Sequence, residues 1–150
     1  MDLAELYKLI KRFEGCKLKA YLCPAGVWTI GWGSTGPGIV KGVVWTQAQA
    51  DARLEADALV YAQGAAGLSP VLFFDDLKLC AIADFCYNLG VSRYKISTLR
   101  KRVNAGDWEG ACIELMKWTR GGGRVLPGLV LRCQARVDLV KRSADGRFSR

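Results

Sequence analysis

Glu14-Gly15-Cys16-Lys17-Leu18-Lys19-Ala20-Tyr21-Leu22-Cys23-Pro24-Ala25-Gly26-Val27-Trp28-Thr29-Ile30-Gly31-Trp32-Gly33 is the stretch whose reading decides how this chain folds. It begins where a helical period ends. Upstream, Leu3, Leu6, Ile10 and Phe13 recur at helical spacing with Asp2 available as an N-cap, which predicts a first helix halted near Gly15. Within the stretch, β-branched and aromatic residues gather in Ala20-Tyr21-Leu22 and again in Val27–Gly33. Pro24-Ala25-Gly26 divides the two runs as a turn, so a small β-hairpin or meander is expected. Such a ribbon brings position 23 back across from position 14.

Downstream the signals are helical. Thr46-Gln47-Ala48-Gln49 reads as a capping box opening a helix to about Ala66. Ser69-Pro70 reads as an N-cap followed by proline at the first helical position. A further helix is expected from Asp76 to Asn88, stopped by Leu89-Gly90. Ser97-Thr98 and Asp107 are caps for helices over about 98–104 and 108–118. Gly121-Gly122-Gly123 reads as a flexible corner, and Leu126-Pro127-Gly128 as a turn into a last helix over about 129–142. Ser143–Arg150 is expected to be a loose tail. The fold class that follows is α+β, with a small sheet near the N-terminus and a larger helical lobe around it.

The 150 residues suit one domain, and their formal charge of +8 is unevenly spread. Residues 1–90 carry 8 Lys/Arg against 9 Asp/Glu, whereas residues 91–150 carry 14 against 5. A basic half points to a polyanionic partner: nucleic acid, an anionic membrane or an acidic cell-wall polymer. The absence of histidine excludes every His-based triad, proton shuttle and zinc site. Six cysteines show no CxxC pair, which suits free thiols in a reducing compartment. Cys80, Cys112 and Cys133 read as small core residues, and the reading of Cys86 stays open. Met1-Asp2-Leu3-Ala4-Glu5 has no basic run followed by an apolar one, so neither a signal peptide nor a membrane span is expected.

Glu14 is the candidate for chemistry. A carboxyl held between a helix end and an aromatic hairpin can serve as a general acid where its surroundings keep a proton on it. A lone Glu at a helix end is, however, usually a solvated surface residue. The spacing changes that reading: Glu14, eight residues, Cys23, five residues, Thr29, then Ile30-Gly31-Trp32-Gly33. This pattern closely resembles the phage-type lysozymes, glycoside hydrolase family 24, whose signature is Glu-x8-(Asp or Cys)-x5-Thr. The likeness continues through Trp45-Thr46-Gln47-Ala48-Gln49-Ala50, Phe85-Cys86-Tyr87-Asn88-Leu89-Gly90, Ser97-Thr98-Leu99, Asn104-Ala105-Gly106-Asp107, Trp118, Gly122–Leu129 and Arg132. About residues 4–142 are covered.

The resemblance implies a lysozyme-like fold. A small β lobe would span about 14–45, a helical lobe 1–13 and 67–142, and a connecting helix 46–66. It implies hydrolysis of the β-1,4 bond between N-acetylmuramic acid and N-acetylglucosamine in peptidoglycan. By the same resemblance Glu14 is the general acid, Cys23 stands in the base or nucleophile position, and Thr29 positions water or sugar. Asn88, Gly90 and Thr98 would line the far wall of the cleft. The implied partner is the glycan strand, bound by a monomer without metal, cofactor, nucleic acid or stable membrane insertion. Its implied route is host cytoplasm, then the wall after holin-type release.

Two departures bear on that reading. Cys23 replaces the commoner Asp, and an ordinary thiol is only about 3% ionised at pH 7, so it needs activation, for which Lys17 and Lys19 are nearby in sequence. Ser34 stands where many relatives have the His that supports the acid. Arg93, Arg124 or Arg132 could partner Glu14 instead, with a surface cation the equal alternative for Arg132. The five tryptophans could stack on sugars, although core packing suits most of them better. Two rivals remain: a lytic transglycosylase working with one carboxyl, and a non-catalytic cationic wall-binding or membrane-disrupting protein.

Overall fold

The computed structural model describes residues 1–146. Helix α1 (Ala4–Glu14) is strongly amphipathic, burying Leu6, Leu9 and Ile10, and Gly15 ends it with φ 68°. Asp2 accepts a hydrogen bond from the Ala4 N–H at 3.0 Å, although the cap position itself falls on Leu3. Strands β1 (Lys17–Leu22) and β2 (Trp28–Gly31) pair antiparallel, with Tyr21 opposite Thr29 and Leu22 opposite Trp28. The turn closes through Cys23 N–H to Val27 O at 3.0 Å and Gly26 N–H to Cys23 O at 2.8 Å. Gly26, at φ 78°, supplies the left-handed residue this turn needs.

Helix α2 (Gln47–Leu68) opens on a complete capping box: Thr46 Oγ1 accepts from Gln49 N–H and Gln49 Oε1 from Thr46 N–H. Ala50, Leu54, Ala58, Ala62 and Ala66 repeat every four residues on its buried face, and the four alanines are small enough to let α3 (Asp76–Leu89) approach closely. Asp75 caps α3, whose residues Lys78 to Cys86 are all buried, so this helix is the centre of the molecule. Around it lie α4 (Val91–Ile96), α5 (Thr98–Asn104), α6 (Trp108–Leu115) and α7 (Pro127–Gly146). A small second apolar cluster of Ala20, Ile30 and Ile39, flanked by Trp28, Val43 and Trp45, lies under the hairpin. No helix among the described residues is long and apolar enough to cross a membrane.

Several local expectations change. Ser69-Pro70 opens only a 3-10 helix, Pro70–Phe74, because the Ser69 hydroxyl is engaged with Tyr94 Oη at 2.6 Å instead of capping. Gly90, at φ 98°, stops α3 as expected but turns the chain directly into α4, which periodicity had not marked. The helix after Asp107 ends at Leu115, short of 118. Gly121–Gly123 is a ribbon turn, not a loose corner: β3 (Arg120–Gly121) pairs with β4 (Arg124–Val125) across Gly122 and Gly123, both at positive φ. The last helix starts at Pro127 and runs to Gly146, so residues 143–146 of the expected loose tail are helical. Residues 147–150 lie outside the described residues.

Candidate active site

Glu14 is the last residue of α1, and its carboxylate lies on the backbone of the loop that follows β2. A Cβ added at Gly33 (φ 86°) would fall 2.8 Å from Glu14 Oε2, so only glycine permits both the turn and the approach. That loop is tied down from two helices. From α2, Asp51 accepts the Trp32 indole N–H at 2.8 Å, Asp57 accepts the Ser34 hydroxyl at 3.0 Å, and Arg53 donates to Thr35 O at 2.8 Å. From α3, the Tyr87 hydroxyl donates to Trp32 O at 2.6 Å. Ser34, in the place of the missing His, therefore fastens the loop and does not face Glu14 as a charge.

Arg132 takes the charged role. Its Nη1 donates to Glu14 Oε1 at 2.7 Å, and it is 3% exposed, which overturns the surface-cation alternative. Arg93 and Arg124 are exposed and make no such contact. Arg132 also donates from Nε and Nη2 to the two oxygens of Asp84, at 3.0 and 2.8 Å. One turn further along α7, Arg136 donates from Nε to Asp84 Oδ2 at 2.7 Å and from Nη2 to Asn88 Oδ1 at 3.0 Å. Burial raises the Cys133 thiol, and against it act the Arg136 charge, the Trp118 backbone and a hydrogen bond from the same guanidinium. Burial pushes the Asp84 carboxyl up, but the Arg136 charge and the Arg132 hydrogen bond and charge outweigh it and hold it below the usual range. Arg132 is held protonated: Asp84 and then Glu14 outweigh its burial.

Cys23 sits half-buried at the hairpin turn. Its thiol is lowered from the ordinary value, first by hydrogen bonding to the Val27 backbone, against a smaller opposing effect of desolvation, then by Ala25, the Thr29 hydroxyl and Gly26. The expected lysines are not the cause, and Lys17 lies over the Tyr21 ring at 4.7 Å. Thr29 is buried and its single hydroxyl proton goes to Val27 O at 2.9 Å, so rotation is needed to offer that proton to the sulfur. Tyr21 is raised by burial, then by the charges of Glu14 and Cys23, so one side chain of β1 lies in the field of both. The arrangement thus combines a carboxyl held by Arg132, a thiol lowered by its hairpin's hydrogen bonds and a hydroxyl near that sulfur.

Asn88, half-buried near the end of α3, joins this group through Arg136, and Gly90 follows where α3 ends. Thr98 is the exposed first residue of α5, with Ser97 supplying the cap. Beside Arg132 a groove of about 340 Å³ is lined by Phe13, Leu126, Gly128 and Leu129. The larger groove of about 590 Å³, around Trp108, Cys112 and Ile113, shares no residue with this site. Cys80, Cys86 and Cys133 are buried free thiols, with Cys80 and Cys86 pushed up to about 12 by burial, and Cys112 is half-buried. Among the tryptophans, Trp118 packs edge-on against Phe85 at 5.0 Å.

Sequence reasoning missed Asp84, Arg136 and Tyr87 as members of the site. One signal was available: an Asp inside the apolar run Leu79–Phe85 and two arginines four apart in the last helix. A buried charge needs partners, and i, i+4 residues share a helix face.

Residues 11–136 match the family described as phage lysozyme. The endolysin of Acyrthosiphon pisum secondary endosymbiont phage 1 is 42% identical over 139 residues, covering 89% of this chain and 92% of that protein. Among solved structures, the active form of the P1 phage endolysin Lyz superposes with TM-score 0.81 at 26% identity, over 94% of this chain and 85% of the other. The muramidase domain of SpmX from Asticaccaulis excentricus gives 0.80 at 29% identity, over 93% and 95%.

Proposed function

The chain belongs to the phage lysozyme family, and from that premise we propose that Glu14 is the general acid of its reaction. The protein is an endolysin-type muramidase, a glycoside hydrolase acting on bacterial peptidoglycan. The observation that carries the residue assignment is the Glu14 carboxylate, seated against Gly33 and held at Oε1 by buried Arg132. With Oε1 engaged, Oε2 is left to deliver a proton to the glycosidic oxygen between N-acetylmuramic acid and N-acetylglucosamine. As that C–O bond breaks, positive charge builds on the sugar ring, and Cys23 as thiolate takes the base or nucleophile position opposite. Thr29 positions the incoming water or the sugar, and Asn88, Gly90 and Thr98 form the far wall.

The family match and the endolysin relatives support hydrolysis over a transglycosylase that works with one carboxyl. The two apolar clusters support a division into a β lobe over about 14–45 and a helical lobe, with 46–66 as the connection. The glycan strand is the partner. We read the chain as a monomer that reaches the wall from the host cytoplasm through a holin-type pore.

The test is digestion of purified peptidoglycan by wild type and Glu14→Gln. Wild type should release fragments with reducing ends, and Glu14→Gln should be slower by roughly a hundredfold or more. Anhydro ends would convert the reading to a transglycosylase. Equal activity of the two proteins would exclude Glu14 as the acid.

A further inference from the structure

Asp84 need not touch the glycan, yet two side chains of the site depend on it. It is fully buried, and three of its four guanidinium contacts run from Arg132 Nε and Nη2 and from Arg136 Nε to its carboxylate, at 3.0, 2.8 and 2.7 Å. The fourth runs from Arg136 Nη2 to the Asp84 carbonyl at 3.4 Å. A guanidinium is a rigid plane, so clamping one edge sets the direction of its remaining N–H groups. Arg132 Nη1 is thereby aimed at Glu14 Oε1 at 2.7 Å, and Arg136 Nη2 at Asn88 Oδ1 at 3.0 Å.

We propose that Asp84 is a positioning residue, orienting Glu14 through Arg132 and Asn88 through Arg136, so that acid and far wall are set from one buried anchor. The second arm also defines what Asn88 recognises. Arg136 takes one lone pair of the Asn88 carbonyl oxygen and fixes the amide plane, which favours its N–H donors for the glycan. The matching substrate group is one that can accept a hydrogen bond, such as an acetamido carbonyl or a sugar hydroxyl. This inference rests on the reading of Glu14 as acid and Asn88 as a substrate contact.

Asp84→Asn, Arg132→Lys, Arg136→Lys, Asn88→Ala and the double variant Arg136→Lys/Asn88→Ala would be compared on soluble peptidoglycan fragments, with thermal unfolding recorded for each. Arg136→Lys keeps the charge but loses the fork; KM should rise roughly tenfold with kcat within about threefold. Arg132→Lys should lower kcat by roughly tenfold or more with KM nearly unmoved, and Asp84→Asn should do both. The double variant should have a KM no worse than Asn88→Ala, since Arg136 acts through that amide.

A merely structural Asp84 would lower the unfolding temperature and leave kcat and KM of the folded enzyme at wild-type values, which overturns the proposal. Multiplying KM effects in the double variant would overturn the Asn88 arm. Should Asp84→Asn fail to fold, the Arg136→Lys and double-variant KM values decide. Glu14→Gln, run alongside, separates the two claims. If it stays active, the acid and this coupling fall together; if it is inactive while Asp84→Asn and Arg136→Lys keep wild-type kinetics, the coupling alone falls.

Discussion

Gly33→Ala alters no functional group and so isolates geometry. The new Cβ would lie 2.8 Å from Glu14 Oε2 and 3.2 Å from its Cδ, whereas ordinary contact begins at 3.4 Å. The carboxylate must therefore retreat by about 0.6 Å. It cannot swing away freely, because Oε1 is held by Arg132 at 2.7 Å and Arg132 is clamped in turn by Asp84. A displacement of about 1 Å at a reacting group costs on the order of a hundredfold, so kcat should fall roughly tenfold to a hundredfold.

A separate cost arises at the backbone. A side chain at φ 86° is disfavoured by about 1–2 kcal/mol, which lowers Tm by roughly 2–8 °C in a chain of this size. Gly106→Ala separates the two effects. Gly106 has φ 69° and nothing within 4 Å of an added Cβ, so this variant should lose comparable stability and keep its activity. The assay pairs initial rates on purified peptidoglycan with thermal unfolding of all three proteins. Rates for Gly33→Ala within twofold of those for Gly106→Ala would refute the idea that Glu14 works from its seat against this loop.

Three further outcomes are expected. Alkylation of Cys23, or Cys23→Ala, should abolish most activity while Cys23→Asp keeps much of it; because the thiol is lowered, the alkylation rate should rise with pH at values below those of the buried Cys80 and Cys86. Equal rates for wild type, Cys23→Ala and Cys23→Asp would remove the sulfur from the mechanism. Asp84 has a depressed folded-state pKa, so the stability it contributes is present above about pH 4 and is lost as pH falls through its folded value. Asp84→Asn should cost about 3–5 kcal/mol at pH 7 and flatten that acid slope in urea unfolding at pH 7 and pH 3; parallel slopes would contradict the assignment. Thr46→Ala breaks the capping box of α2 without touching a site side chain, and should cost about 1 kcal/mol and a few degrees of Tm, with peptidoglycan turnover kept below the unfolding transition.

Much of the fold was legible because its signals are local. Gly15 after an amphipathic run, Pro24-Ala25-Gly26 between two β-rich runs, and Thr46 with Gln49 each specify a backbone event within a few residues. The structure has α1, the hairpin and the capping box at those positions. The local readings that failed were those where a distant partner claimed the residue. The Ser69 hydroxyl was drawn to Tyr94, and Gly121–Gly123 acquired order from pairing of the flanking strands.

The site divides along the same line. Glu14, Cys23 and Thr29 became candidates because one short segment resembles a family signature, and a hairpin is a short-range device that such a segment can specify. Which arginine meets Glu14 and why Asn88 faces as it does depended on contacts 118 and 48 residues apart, whereas what lowers Cys23 lies 2 to 6 residues along the same hairpin. Arg132 and Asp84 look like ordinary helix charges until α3 and α7 pack face to face and exclude water from between them. Burial then gives each charge a required partner, and that requirement belongs to the packed molecule and not to any segment of it.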